Sequence, residues 1–219
     1  VKLGLIFDLD GTLVDSLDGI AASLNWALAQ SYLPGHPRES VRKMIGNGAR
    51  VLVERAVPAD SAASLVDRVE AAFKVDYDRT WPTGTVPYAG IPELLQTLHA
   101  RGYPLAVLSN KPHAFTEAIV AQVFPNVTFS VVLGQRTGIP HKPDPSGAFE
   151  IARLLNLPPK SCAIIGDSSM DIETARNAGM AAIAVTWGFQ DAEWLTSHQP
   201  SRMVTTPAEL DPLFPSDCD

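Results

Sequence analysis

Cysteine is nearly absent: the 219 residues hold two, Cys162 in the apolar run SCAIIGD and Cys218 in a polar tail. A disulfide framework is excluded on that count, and a reducing compartment fits. Positive charge is also scarce, with 17 Lys and Arg against 24 Asp and Glu and a formal net charge of -7. A general nucleic-acid binder carries a basic surplus, as does a chain that lies on an anionic membrane, so neither is expected as a partner. No stretch approaches the roughly 18 apolar residues of a membrane span. The early run LGLIF is too short for a signal peptide and leads into acidic residues rather than a cleavage site. Internal repeats, low-complexity tracts and long charge runs are missing too. The expectation is a cytoplasmic protein, monomer or homodimer. An acidic chain can still take an anionic small substrate where a pocket is locally positive or holds a metal.

What the chain does have is a series of short apolar runs: LGLIF (3–7), PLAVLS (104–109), FSVVLG (129–134), CAIIG (162–166) and AAIAVT (181–186). Each is apolar on both alternations, as in a strand covered on both faces of a parallel sheet. Weaker alternation in RMVTT (202–206) predicts an edge strand. Helical patterns separate the runs. IPELLQTLHARG sets Ile91, Leu94, Leu95 and Leu98 on one stripe with Gly102 as a C-terminal stop, and SMDIETARNAG ends at Gly179. Alternating strands and helices predict a doubly wound α/β sheet.

Residues 16–82 break that rhythm, reading as helices throughout, with WPTGTVP (81–87) as a linker. The expected division is an α/β core of 1–15 and 83–219 and an all-helical insert of 16–82. Such an insert emerges at the carboxyl end of the first strand, over the crevice where open α/β sheets bind ligands.

FDLDGTLVDS gathers Asp8, Asp10 and Asp15 just after the first strand. Like charges repel, so a fold needs a reason to gather them. Ser109 and Asn110 end a second strand, Lys142 in HKPDP follows a third, and Asp167 and Asp171 in GDSSMD follow a fourth. Parallel strands bring all these ends to one rim. Each piece also has an ordinary structural use: an Asp-Gly turn, a helix N-cap at Ser109 or Asp167, a solvated lysine.

The motifs DLDGT, LSN, KPDP and GDSSMD, in that order, resemble those of the haloacid dehalogenase superfamily, and the resemblance covers essentially the whole chain. MIGNGARVLVERAV (44–57) and LGQRTGIPHKPDP (133–145) further resemble its phosphoglycolate phosphatase branch. The resemblance implies a Mg²⁺-dependent phosphatase acting on a small phosphorylated metabolite, with 2-phosphoglycolate the leading candidate. Asp8 is then the nucleophile and Asp10 the acid–base. Asp8, the Asp10 carbonyl and Asp167 hold the metal. Ser109, Asn110 and Lys142 hold the phosphoryl group, while Thr12 and Asp171 support from behind. Thr12 would restrain Asp10, and the insert would act as a mobile lid.

In the insert, Arg42, Lys43, Asn47 and Arg50 flank GNG and are candidates for reading the rest of the substrate, Gly46 and Gly48 allowing close backbone approach. The same residues could equally form a solvated basic helix end. A β-phosphoglucomutase-like isomerase is the main alternative, disfavoured because its fourth motif resembles DSxxGI and this chain has DSSMDI. Pyrophosphate as substrate stays open. A non-enzymatic module would normally have lost Asp8, Lys142 or Asp167. His113 and His141 are expected near the site without a chemical role, and Cys162 and the four tryptophans in packing.

Overall fold

All five apolar runs form strands, and the reason is visible in how they are buried. The computed structural model describes residues 2–216; Cys218 lies outside them. In chain order the elements are β1 (Gly4–Phe7), β2 (Val14–Asp15), α1 (Leu17–Ala29), α2 (Arg38–Arg42), α3 (Gly48–Ala56), α4 (Ala63–Gly84), β3 (Val86–Pro87), α5 (Ile91–Ala100), β4 (Leu105–Pro112), α6 (His113–Val123), β5 (Val131–Gln135), α7 (Ser146–Leu154), β6 (Cys162–Gly166), α8 (Ser169–Ala178), β7 (Ala181–Val185), α9 (Ala192–Ser197) and β8 (Arg202–Val204). Six strands make a parallel sheet in the order β5-β4-β1-β6-β7-β8, with the RMVTT strand at an edge as expected.

Alternate residues of each central strand serve opposite faces. Leu5, Phe7, Leu105, Val107, Ala163 and Ile165 join one core with α5 and α6. Ile6, Ala106, Leu108, Cys162 and Ile164 join the other with α7 and α8. Burial on both sides explains why these runs carry no polar alternation. The helices α5 and α8 close on left-handed Gly102 and Gly179.

Helices α1 to α4 lie between β2 and β3, which pair antiparallel through Val14–Pro87 and Asp15–Val86 and form a two-stranded stem. These strands, each two residues long, are too short to leave a periodic signal. At the base of the insert, Gly19 and Gly84 bring α1 and α4 into backbone contact; a Cβ on Gly19 would sit 2.9 Å from the Gly84 carbonyl oxygen.

Two expectations need correction. The segment WPTGTVP is not all linker: α4 runs through Pro82 to Gly84. Proline removes one N–H donor and crowds the preceding turn. In the final turn that loss is small, and the buried stripe Val66, Val69, Phe73, Tyr77, Trp81 carries the helix to its end. Trp26 and Trp194 are not packing residues but are 39% and 54% exposed, Trp194 lying against His198. The expectation of core packing holds for Cys162, which is fully buried.

Candidate active site

The backbone N–H of Asp8 donates to the Ile165 carbonyl at 2.9 Å, so the first residue after β1 is pinned to the end of β6. Lys142, arriving from the loop after β5, places its buried ammonium 2.9 Å from Asp8 and 2.6 Å from Asp171, and donates to the Leu108 carbonyl at 3.0 Å. Asp171 is fixed by its own helix: it and Ser168 form a reciprocal capping box at the start of α8. Asp167 accepts from the Thr12 hydroxyl at 2.9 Å and the Phe189 N–H at 2.7 Å. Gly11 has φ +87°, and a side chain there would run into the Asp167 carboxylate. Oxygens of Asp8, Asp167 and Asp171 all lie within 4.8 Å of one another.

Burial drives the electrostatics. It pushes the Asp8 carboxyl up to about 7; Lys142 pulls the other way, while Asp171 and Asp10 add to the rise. Burial, then Asp8 and Asp171, raise Asp167 as well. Burial alone would push the Lys142 ammonium down, but Asp171 and Asp8 outweigh it and hold the lysine charged. One buried cation among three carboxylates leaves uncompensated negative charge, and the donor set is all hard oxygen. That set fits Mg²⁺ or a similar hard divalent ion.

Ser109, Asn110 and Lys111 form a bulge. Leu108 pairs with Leu133 and Pro112 with Gln135, so three residues of β4 stand opposite Gly134 alone. Gly134 makes room for it: a Cβ there would lie 2.6 Å from His113 Cα and 2.7 Å from the Lys111 carbonyl oxygen. The bulge re-aims side chains at the strand end. The Asn110 side chain accepts from the Lys142 N–H at 2.8 Å and donates to the Lys142 and Gly46 carbonyls at 3.2 and 3.0 Å. It therefore ties two sheet loops to the insert.

Asp10 is not one of the three clustered carboxylates and has partners of its own. The Ser16 hydroxyl donates to it at 2.5 Å, and the Lys111 ammonium donates to both of its carboxylate oxygens at 3.0 Å. Thr12 engages Asp167, so Ser16 and Lys111 are the residues that restrain Asp10. Burial would push Lys111 down, but Asp10 and Tyr77 reverse this and keep it charged. Sequence reasoning missed Lys111, although the polar triplet SNK at the end of an apolar strand was the available signal.

Between this rim and the helical insert lies a cleft with about 800 Å³ of empty space, open to solvent. Asp8, Asp10, Ser109, Asn110, Lys111, Lys142 and Asp167 line its floor. Ile20, Ile45, Leu52, Phe73 and Phe115 supply apolar walls, with Gly46 and Gly48 between them. Arg42, Lys43, Asn47 and Arg50 are not among the lining residues. Arg42 pairs with Asp191 at 2.9 Å, and Arg50 with Glu54 at 3.0 Å and also with Asp67. Asn47 lies between Arg55 and the Met170 sulfur, and Lys43 is exposed. His141 approaches Gly48, and the His113 ring accepts from the Gly134 N–H at 3.2 Å, beneath the bulge.

The family model for haloacid dehalogenase-like hydrolases matches residues 5–185. The chain belongs to this family. A phosphoglycolate phosphatase of Pectobacterium atrosepticum is 33% identical over 214 residues, spanning 96% of this chain and 92% of its own length. One from Yersinia pestis is 34% identical with the same coverage. The crystal structure of a predicted phosphoglycolate phosphatase from Haemophilus somnus superposes with a TM-score of 0.91 at 30% identity, covering 97% of each chain. This haloacid dehalogenase-like chain is therefore an enzyme of the hydrolase class, and phosphatases are its full-length relatives. No helix among its described residues is long and apolar enough to cross a membrane.

Proposed function

We propose that the protein is a Mg²⁺-dependent phosphatase for a small phosphorylated metabolite, 2-phosphoglycolate before others, working through a phosphorylated Asp8. The observation that carries this is the meeting of Asp8, Lys142, Asp167 and Asp171 on one sheet rim, beside a cleft that is open to solvent. The names of the full-length relatives support the substrate.

An Asp8 carboxylate oxygen attacks phosphorus, and the ester oxygen leaves with a proton from Asp10. Asp10 then takes a proton from water as that water cleaves the Asp8 acyl-phosphate, giving inorganic phosphate and free Asp8. The Lys142 ammonium, the Ser109 hydroxyl and the Asn110 N–H hold the phosphoryl oxygens as charge spreads over them. Asp171 keeps Lys142 in place, and Thr12 keeps Asp167 in place. Asp8, Asp167 and the Asp10 carbonyl would hold Mg²⁺, which when bound offsets the repulsion between a carboxylate and a phosphate dianion. At roughly 4 Å and an effective dielectric near 20 that repulsion is about 4 kcal/mol per pair of unit charges. Residues 16–82 serve as a lid that opens for substrate and closes to exclude water.

The test is Mg²⁺-dependent turnover of p-nitrophenyl phosphate, with and without EDTA, in the natural protein and in Asp8→Asn. The substitution removes the nucleophile and is expected to cut turnover about a thousandfold or more. Equal activity in both proteins rejects the mechanism.

A further inference from the structure

The functional reading gives one buried cation, Lys111, a hold on Asp10 but no contact with the substrate. The Lys111 side chain is 7% exposed and lines the cleft, 4.7 Å above the centre of the Tyr77 ring. The other lining lysines are committed: Lys142 to Asp8 and Asp171, and Lys74, half exposed, to Glu70 at 2.6 Å. An ammonium carries three N–H donors. Asp10 takes two of those on Lys111, which leaves one for a ligand.

Tyr77 lies beside that ammonium and, with Asp10, helps to keep it charged. It is 2% exposed and lines the same cleft, yet its hydroxyl has no hydrogen-bond partner among the described residues. A buried polar group without a partner is uncommon in native proteins and calls for one. Phe73 and Phe115 pack against the ring at 5.5 Å each, so the hydroxyl and the ammonium sit in apolar surroundings, where charge pairing is strong.

Resting on the phosphatase reading above, we propose that Lys111 and the Tyr77 hydroxyl receive a carboxylate of the substrate. They thereby select phosphorylated 2-hydroxy acids over phosphate esters that lack the acid. Distances favour this class. A leaving oxygen protonated by Asp10 lies roughly 3 Å from that carboxyl. Asp10 is itself 3.0 Å from the Lys111 ammonium. The ester oxygen and the ammonium are thus at most roughly 6 Å apart. In a phosphorylated 2-hydroxy acid the carboxylate oxygens lie roughly 3 Å from the ester oxygen, as bond lengths dictate. One further hydrogen-bond length of roughly 3 Å completes the span. The Lys111 position therefore reads the group next to the ester, a place that Arg42, Lys43, Asn47 and Arg50 do not line.

The test compares kcat/KM for 2-phosphoglycolate and ethyl phosphate, which has a methyl group in place of the carboxylate, in the full chain with Mg²⁺. The natural protein is expected to favour 2-phosphoglycolate at least 30-fold. In Lys111→Met that preference is expected to fall by about 30-fold, equivalent to about 2 kcal/mol. Tyr77→Phe keeps the ring and the fold, and is expected to lower the preference about threefold or more, which decides the matter if Lys111→Met does not fold. An unchanged preference in the variants, with both rates falling together, overturns the inference and leaves Lys111 as a positioning residue for Asp10. A natural protein that hydrolyses both esters equally well overturns it too, while the phosphatase reading survives. Turnover of neither ester removes that reading and this inference together.

Discussion

Lys142 neutralises two buried carboxylates at once, Asp8 and Asp171, at 2.9 and 2.6 Å. Replacing it by methionine keeps the volume and leaves both charges buried without a countercharge. Breaking a buried ion pair from one side costs about 3–5 kcal/mol. Lys142→Met is expected to lose about that much in urea unfolding of the metal-free protein, and Mg²⁺ is expected to restore part of it. Single residues were unevenly legible. Asp8, Asp167 and Asp171 were legible because each follows an apolar strand or opens the helix beside it, and Lys142 because it sits in the HKPDP loop after a third strand; topology then gathers them. Lys111 went unseen because its importance comes from a bulge, and a bulge shows only in pairing register. The basic residues of the insert could be read as a binding loop or as a solvated helix end; Arg42 and Arg50 pair with acidic neighbours, a matter of side-chain partners that one sequence does not disclose.

Among the elements, β4 is the one whose irregularity matters most. Gly134 on β5 lies under the bulge, and a methyl group there would also strike the Thr116 hydroxyl. Overpacking of this kind costs about 1–3 kcal/mol. Gly134→Ala is expected to lower the unfolding free energy by about that amount. It should also cut turnover of p-nitrophenyl phosphate at least about tenfold, because Ser109 and Asn110 move with the bulge. A melting curve and a kinetic assay on the same preparation check both. The long apolar strands and periodic helices were readable from sequence, since each buries a repeating pattern. By contrast, β2 and β3 have no period to read, and the last turn of α4 was hidden by Pro82, a residue that usually ends helices.

At the scale of the whole molecule the carboxylate cluster links stability to pH. Asp8 has an ordinary value of 3.8 and is raised to about 7 in the fold. Asp167 moves in the same direction. The folded chain thus binds more protons than the unfolded one between these values, and stability falls as pH rises through that window. In EDTA, Tm is expected to drop by roughly 5 °C from pH 5 to pH 8, about 2 kcal/mol for a chain of this size. Millimolar Mg²⁺ should abolish most of the drop, as should Asp8→Asn. A flat profile in EDTA rejects this account of the cluster.

The stem of β2 and β3 has a consequence for how such a molecule can diversify. The outgoing and returning threads lie side by side, joined through Val14–Pro87 and Asp15–Val86. Whatever is spliced between them need only begin and end at neighbouring points, so the strand order of the sheet places no demand on its length or pattern. The stem is a socket, and a different module plugged into it would meet new molecules with the same old reaction.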